Sequence, residues 1–466
     1  MHLHDANGDT RFPFPDFWPR VREFAVPASV IETATARRRV GDWAGACAAA
    51  GFDIDLDLAA LGRRYGRELA AGVRADLRHL APDLLRWHMP RIAPDGLLRP
   101  GLTVPLARYG PVHLVVRTAP AWADGGQRIS LTLWDGDSVG AEAAARHPHP
   151  RPSRRFRFDL HRHLWDGDSV GAEAAARHPH PRPSRRFRFD LHRHLWDARR
   201  AGELRERSGA CGPPLPDAER WAAEARILLA AEGRDAGPVA VRAGERRFVL
   251  DVGPSSVACL EPDGRSGPLP LLPDAATWLP PDLELLRTGA IEADRLHPLV
   301  AAALVPGHAG SEPVAPPDPR APRLVECRGA LHRIALVDGV LAPLDHDPDE
   351  LRREELLVAL SGTPLPCLRI IDEAHRRPDG LDDVRERLRH GDTAGALAAV
   401  EGLLGPEAVL RSGPLQDALR AAAERRLVYG LYRAGLAGPA YHRLPARPSS
   451  RRPRRTDRAR PRHAFR

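Results

Sequence analysis

LWDGDSVGAEAAARHPHPRPSRRFRFDLHRH runs from Leu133 to His163 and recurs without one change from Leu164 to His194, after which Leu195-Trp196-Asp197 starts the unit a third time. A repeat retained for structure diverges at surface positions while holding its buried pattern. Here even the polar positions are identical, so the unit reads as a recent in-frame duplication, or as a sequence-assembly error, that interrupts one region of the chain. With one copy removed, Leu133-Trp134-Asp135 still leads through Arg-Phe-Arg-Phe-Asp-Leu into a helix expected from Leu195 to near Gly209. The added length is tolerable because loop closure costs only about 0.6 kcal/mol per doubling of length. The expectation is that one of Phe156-Arg157-Phe158 and Phe187-Arg188-Phe189 pairs as a strand while the other lies loose on the surface.

Upstream of the unit the period is two, in Val112-His113-Leu114-Val115-Val116 and in Ile129-Ser130-Leu131-Thr132-Leu133, which predicts strands. Farther upstream it is helical. Leu58, Leu61, Tyr65, Leu69, Val73, Leu77, Leu80 and Leu84 recur at steps of three or four, predicting one long helix capped by Asp57, with Arg63, Arg64, Arg67 and Arg74 turned outward. Gly41-Asp42-Trp43-Ala44-Gly45-Ala46 opens a short Ala-rich helix before it.

Downstream, a helix is expected from Asp217 to Gly233, then a hairpin in VAVRAGERRFVLDV, Val239 to Val252. VECRGALHRIALVDG, from Val325, aligns with that hairpin without a gap: Val239 with Val325, Arg242 with Arg328, Arg247 with Arg333, Leu250 with Leu336. Asp338-Gly339 supplies a primed turn. Helical segments follow, Leu279 to Leu304 and Asp349 to Leu360, the second opened by Asp347 as cap, Pro348 in the first turn and Glu350 completing a capping box. The pattern fits a duplicated hairpin-plus-helix module, and equally a chance likeness, because short alternating strands resemble one another easily. The C-terminal part is helical, and its Gly391-Asp392-Thr393-Ala394-Gly395-Ala396 repeats the turn of residues 41–46.

The fold class expected is therefore α+β, with helical N- and C-terminal regions and small antiparallel hairpins or meanders between them. The divisions are an extension without stable fold (1–27), a helical region (28–94), a strand and helix region carrying the duplication (95–210), a helix plus hairpin (211–305), a Pro-rich linker (306–322), a hairpin followed by helices (323–445) and an Arg-rich tail (446–466).

Composition closes several functions. All 69 basic residues are Arg and Asn occurs once, at Asn7, the bias of a very GC-rich genome. Without Lys there is no Walker A lysine, kinase lysine, Schiff base or Ser-Lys dyad. The net charge of +8 lies in the tail, where nine Arg between Arg447 and Arg466 face the single Asp457. No run of about 18 apolar residues is present to span a bilayer, and the first residues lack a signal-peptide pattern, so a cytoplasmic location and no membrane partner are expected. Cys47, Cys211, Cys259, Cys327 and Cys367 form no C-x-x-C pair and read as buried free thiols rather than disulfides or a zinc site.

Candidate chemistry is sparse. His147, His149, His161, His163, His178, His180, His192 and His194 could offer imidazoles to a metal, but the His-Pro segments read as solvated polyproline-like chain flanked by cation-repelling Arg. His2-Leu3-His4-Asp5 matches an H-x-H metal motif without the strand that should precede it. Asp135-Gly136-Asp137-Ser138 lacks the later ligands of a calcium loop. No G-x-S-x-G occurs, and Ser255-Ser256 falls in a turn. His375, near Glu373, has the spacing of a general base but reads as a half-buried helix residue. Catalytic, cofactor-binding and metal residues are accordingly assigned as none.

The stretches WLPPDLELLRTG from Trp278 and HDPDELRREELLVALSGTPLPCLRIIDEAHRRPDG from His346 resemble conserved hypothetical proteins of high-GC actinobacteria. The resemblance implies no activity and no catalytic residue.

The function expected is a non-catalytic cytoplasmic interaction or regulatory protein with a protein partner and no cofactor. An alternative is a nucleic-acid-associated protein that neutralises phosphates through Arg451, Arg452, Arg454, Arg455, Arg458, Arg460 and Arg462. A hydrolase of unrecognised type is a further alternative.

Overall fold

The computed structural model describes residues 17–135, 182–210, 217–243, 246–253, 256–260, 269–308, 322–361 and 365–438. The fold is α+β, as the alternation of helical and period-two segments requires. Four strands make the central sheet in the order β1-β6-β5-β4: β1 Phe52–Asp55, β4 Thr103–Tyr109, β5 Val112–Thr118 and β6 Ile129–Trp134. β4, β5 and β6 are antiparallel neighbours, and β1 adds in parallel to β6 with Phe52 opposite Ile129. A two-stranded ribbon pairs β2 (Arg91–Ile92) with β3 (Leu97–Leu98). Val104, Leu106, Leu114, Val116, Ile129 and Leu131 are fully buried, because helices from both flanks close over the sheet.

Those helices correct two expectations. The leucine stripe expected as one helix is three: α4 Leu58–Tyr65, α5 Arg67–His79 and α6 Pro82–His88. Gly66, at φ 94° and ψ 160°, breaks the first junction, and Pro82 can only open a helix, not continue one. The stripe is nonetheless the buried face, since Leu61, Val73, Leu77, Leu80 and Leu84 are all in the core. The N-terminal extension is not loose throughout. α1, Phe17–Phe24, buries Phe17, Val21 and Phe24, and Arg22 pairs inside with Asp282 at 2.7 Å. α2 (Ala28–Arg39) and α3 (Trp43–Ala49) follow, joined by the Gly41-Asp42 turn, whose Asp42 side chain accepts from Gly45 N at 2.8 Å.

The described part of the second copy of the tandem unit, residues 182–194, enters the core without forming a strand. Phe187 and Phe189 are buried in irregular chain that meets the sheet through one bond, Ser184 N to Thr103 O at 2.9 Å. Phe156-Arg157-Phe158 lies outside the described residues. The helix expected from Leu195 is instead short 3-10 turns and α7, Leu204–Arg207.

Two three-stranded meanders complete the β content. The first, β7 Gly237–Ala243, β8 Arg246–Val252 and β9 Val257–Leu260, lies under α8, Asp217–Ala231. The second is β10 Arg323–Cys327, β11 Ala330–Val337 and β12 Val340–Pro343. Strand pairing matches Val241 and Phe248 of one with Val325 and His332 of the other, two residues out of step with the ungapped sequence alignment. The helix expected over residues 279–304 is split into α10 Pro281–Thr288 and α11 Pro298–Leu304, preceded by α9 Asp274–Thr277. Gly289 caps α10 in the left-handed conformation and Pro298 starts α11.

After the second meander come α12 Pro348–Ser361, α13 Pro366–Arg376, α14 Leu381–His390, α15 Thr393–Leu404 and α16 Pro414–Arg433. Asp347 accepts from Asp349 N at 2.7 Å as the expected cap of α12. The Gly391-Asp392 turn repeats the earlier one in atomic detail, with Asp392 accepting from Gly395 N at 2.8 Å. α16 returns to the central sheet: Tyr429 donates to Asp53, and Arg433 donates to Asp55 and Ser130.

Candidate metal centre

β10 ends at Cys327, which pairs with Ala330 across Arg328 and Gly329. Both turn residues have positive φ, 54° and 81°, the signature of a primed two-residue turn. Side chains directly opposite share a sheet face, so Val325, Cys327, Ala330, His332 and Ile334 point the same way, toward α13. Cys367 is the second residue of α13, whose opening peptide dipoles favour a thiolate there. His346 stands between β12 and the cap of α12. Four separate elements thus deliver Cys327, His332, His346 and Cys367 to one place, with one ligand atom from each lying within 4.8 Å of all the others.

The two imidazoles face each other, His332 Nδ1 and His346 Nε2 being 2.8 Å apart with ring centroids at 4.4 Å. The second nitrogen of His346 lies 3.5 Å from a Glu350 carboxylate oxygen, the outer-shell contact that orients metal-ligating histidines. Glu350 in turn receives Arg328 Nη1 at 2.6 Å, and Arg328 Nη2 reaches Glu354 at 2.5 Å, so the turn beside Cys327 is pinned to α12. Both cysteines are fully buried and unpaired. Burial, and then the adjacent Cys327 thiol, push Cys367 up to about 11. Two thiolates and two neutral imidazoles would neutralise a divalent cation, and Cys2His2 is one of the ligand sets that structural zinc takes.

The sequence reads the dispersed cysteines as buried free thiols and no zinc site; the fold brings two of them, Cys327 and Cys367, together with His332 and His346. The ligands follow the pattern Cys-x4-His-x13-His-x20-Cys, which a search for paired cysteines misses. The usable signals were Cys327 immediately before Arg-Gly and Cys367 immediately after the helix-opening Pro366. Cys47 behaves as expected of a core thiol: burial, with Asp83 and Asp42 nearby, pushes it up to about 12.

The other candidates do not assemble. His375 is buried, with its pKa lowered by burial and by Arg411, while Glu373 is exposed. Asp135 is tied to Arg64 at 3.2 Å and accepts from Tyr65. His192 and His194 are buried, with His192 Nδ1 3.0 Å from Arg188 O and Nε2 3.2 Å from Glu224. The remaining histidines of the tandem unit, His2, His4, Ser255 and every tail arginine from Arg451 to Arg462 lie outside the described residues. No helix among the described residues is long and apolar enough to cross a membrane. Comparison with protein families, curated proteins and solved structures finds no match.

Proposed function

We propose that the chain is a non-catalytic interaction or regulatory protein of the cytoplasm whose C-terminal module is built on one structural zinc ion at Cys327, His332, His346 and Cys367. The observation that carries this reading is the convergence of two buried thiols and two imidazoles. Catalytic zinc keeps a coordination position for water or substrate, and a closed set of four protein ligands leaves none. A reducing compartment keeps such thiols available to metal.

The same module presents the apolar surface that a protein partner needs. Of fourteen large hydrophobic residues exposed among those described, seven fall between Leu324 and Leu357. Leu324 and Leu331, 61% and 67% exposed, share the outer face of the sheet, opposite the metal ligands. Contiguous exposed apolar surface marks interaction sites.

Metal analysis of the full chain tests the reading. About one zinc per chain is expected, falling to background in C327S and C367S. Absence of stoichiometric metal in protein purified without chelator sinks it. For the partner, a protein retained on immobilised wild type should be lost with L331E, whose zinc content stays at one; equal retention by both would overturn the interaction face.

A further inference from the structure

A second site lies where the C-terminal helices meet the core. Between α14, α16, β3 and the chain after Asp124 is a cleft of about 320 Å³, lined by Leu97, Asp124, Arg385, Leu388, Arg389 and Arg425 together with small residues. That volume is at the lower end of small-molecule sites. Its walls are formed in advance. A Cβ added to Gly125 would sit 2.1 Å from Arg425 O, and one on Gly391 2.2 Å from Gly126 O, so α16 and the α14–α15 turn press directly on the backbone of residues 125–126. A preformed wall spares a ligand the cost of ordering it.

Three arginines line this cleft. Arg385 and Arg389 stand one turn apart on α14, and Arg425 faces them from α16. Arg425 has no ion-pair partner among the described residues. Among the described residues Arg385 is held by Asp382, 3.1 Å away and 94% exposed, and Arg389 divides itself between Asp95 and Glu386 at 3.3 and 3.1 Å. The Arg385–Asp382 and Arg389–Asp95 pairs are open to water and contribute little, whereas Glu386 is only 13% exposed. In the lining three arginines stand beside one acid, Asp124, while Asp95, Asp382 and Glu386 pair two of the three from outside it, so Arg425 is the arginine left to meet an anion. Leu97 and Leu388 add an apolar wall that inorganic phosphate cannot use.

We propose that this cleft binds a small phosphorylated organic molecule, its phosphate gripped by Arg389 and Arg425 through bidentate hydrogen bonds and its carbon body laid against Leu97 and Leu388. The site is independent of the metal centre. Calorimetric titration of the full chain with 5′-AMP, glucose 6-phosphate, glycerol 3-phosphate, adenosine and inorganic phosphate tests it. At least one ester should bind more tightly than inorganic phosphate, adenosine should not bind, and R425Q should weaken the ester by about tenfold or more. R352Q, on an arginine that is 78% exposed and far from the cleft in sequence, should change nothing. Failure of all three esters, equal affinity for inorganic phosphate, or equal loss in R352Q and R425Q would each overturn the proposal.

Discussion

The meander of residues 237–260 and that of residues 323–343 share strand number, order and a two-residue first connection, yet they are held in different ways. In the first, Val239, Val241, Leu250 and Val252 are fully buried beneath Trp221, Ala225, Leu228 and Leu229 of α8. At the matching positions the second has Arg323, exposed, then Val325, Ile334 and Leu336, of which only Val325 and Ile334 are buried. Where the first has Ala243 and Phe248, the second has Cys327 and His332. Small modules that bury too little apolar surface to offset chain entropy require a covalent or metal staple. The second meander has less buried core than the first and carries Cys327 and His332 at the same face.

Withdrawing the metal is the strongest way to break this comparison. Structural zinc contributes on the order of 10 kcal/mol to folding in small metal-dependent modules. With a strong chelator, or in C367S, amide exchange in residues 323–343 and 366–376 should accelerate by about 100-fold or more while residues 237–260 keep their protection. If both meanders loosen together, or neither does, the two are not held differently. The converse is Leu250→Ala. It removes a fully buried side chain from the first meander and should cost about 2–5 kcal/mol in denaturant unfolding, with zinc content unchanged.

Much of this architecture is legible from residues whose effect is local. Asp338-Gly339 forms the primed turn that its composition demands, with φ of 50° and 78°, and both Gly-Asp-x-Ala-Gly-Ala turns adopt one geometry because the carboxylate needs a bare glycine three residues on. What local reading loses is set by tertiary context. Leu133-Trp134-Asp135 ends a strand, whereas the identical Leu195-Trp196-Asp197 sits in a turn with Trp196 fully buried and its Nε1 donating to Phe189 O. Gly66 and Pro82 are visible as breakers, but the unbroken leucine stripe hides that three short helices can share one face. The four residues of the proposed zinc site are the extreme case. They come from four elements up to forty residues apart, and only the hairpin register and the start of α13 bring them together.

A smaller test addresses how the second meander joins the C-terminal helices. Gly405 has φ 90°, and a Cβ on it would sit 2.0 Å from the backbone oxygen of Gly339, the turn between β11 and β12. Gly405→Ala combines a left-handed backbone with overpacking and should cost about 1–3 kcal/mol, read as a lower melting temperature, with the first meander's amide protection intact.

The smallest effect expected is on the support of the first meander, and it depends on pH. Glu224 on α8 lies 3.2 Å from His192 Nε2 and accepts from Arg207 Nη2 at 2.6 Å, tying the meander's covering helix to the end of the tandem unit. Burial by itself would raise its pKa, but the adjacent His192 imidazole and the hydrogen bonds from Arg207 outweigh that and hold it at about 2, against an ordinary value of 4.5. As pH falls, the unfolded chain therefore takes up the proton first. The stabilisation is fully present above pH 4.5 and is lost progressively between 4.5 and 2. Glu224→Gln should lower stability at neutral pH by about 1 kcal/mol and flatten the acid limb of a melting-temperature profile over that window. Because Glu224 touches nothing in the second meander, zinc retention should be the same in this variant and the wild type. A shift in zinc retention would mean that the two meanders are coupled, and an unflattened acid limb would mean that Glu224 is not the group that ties α8 down.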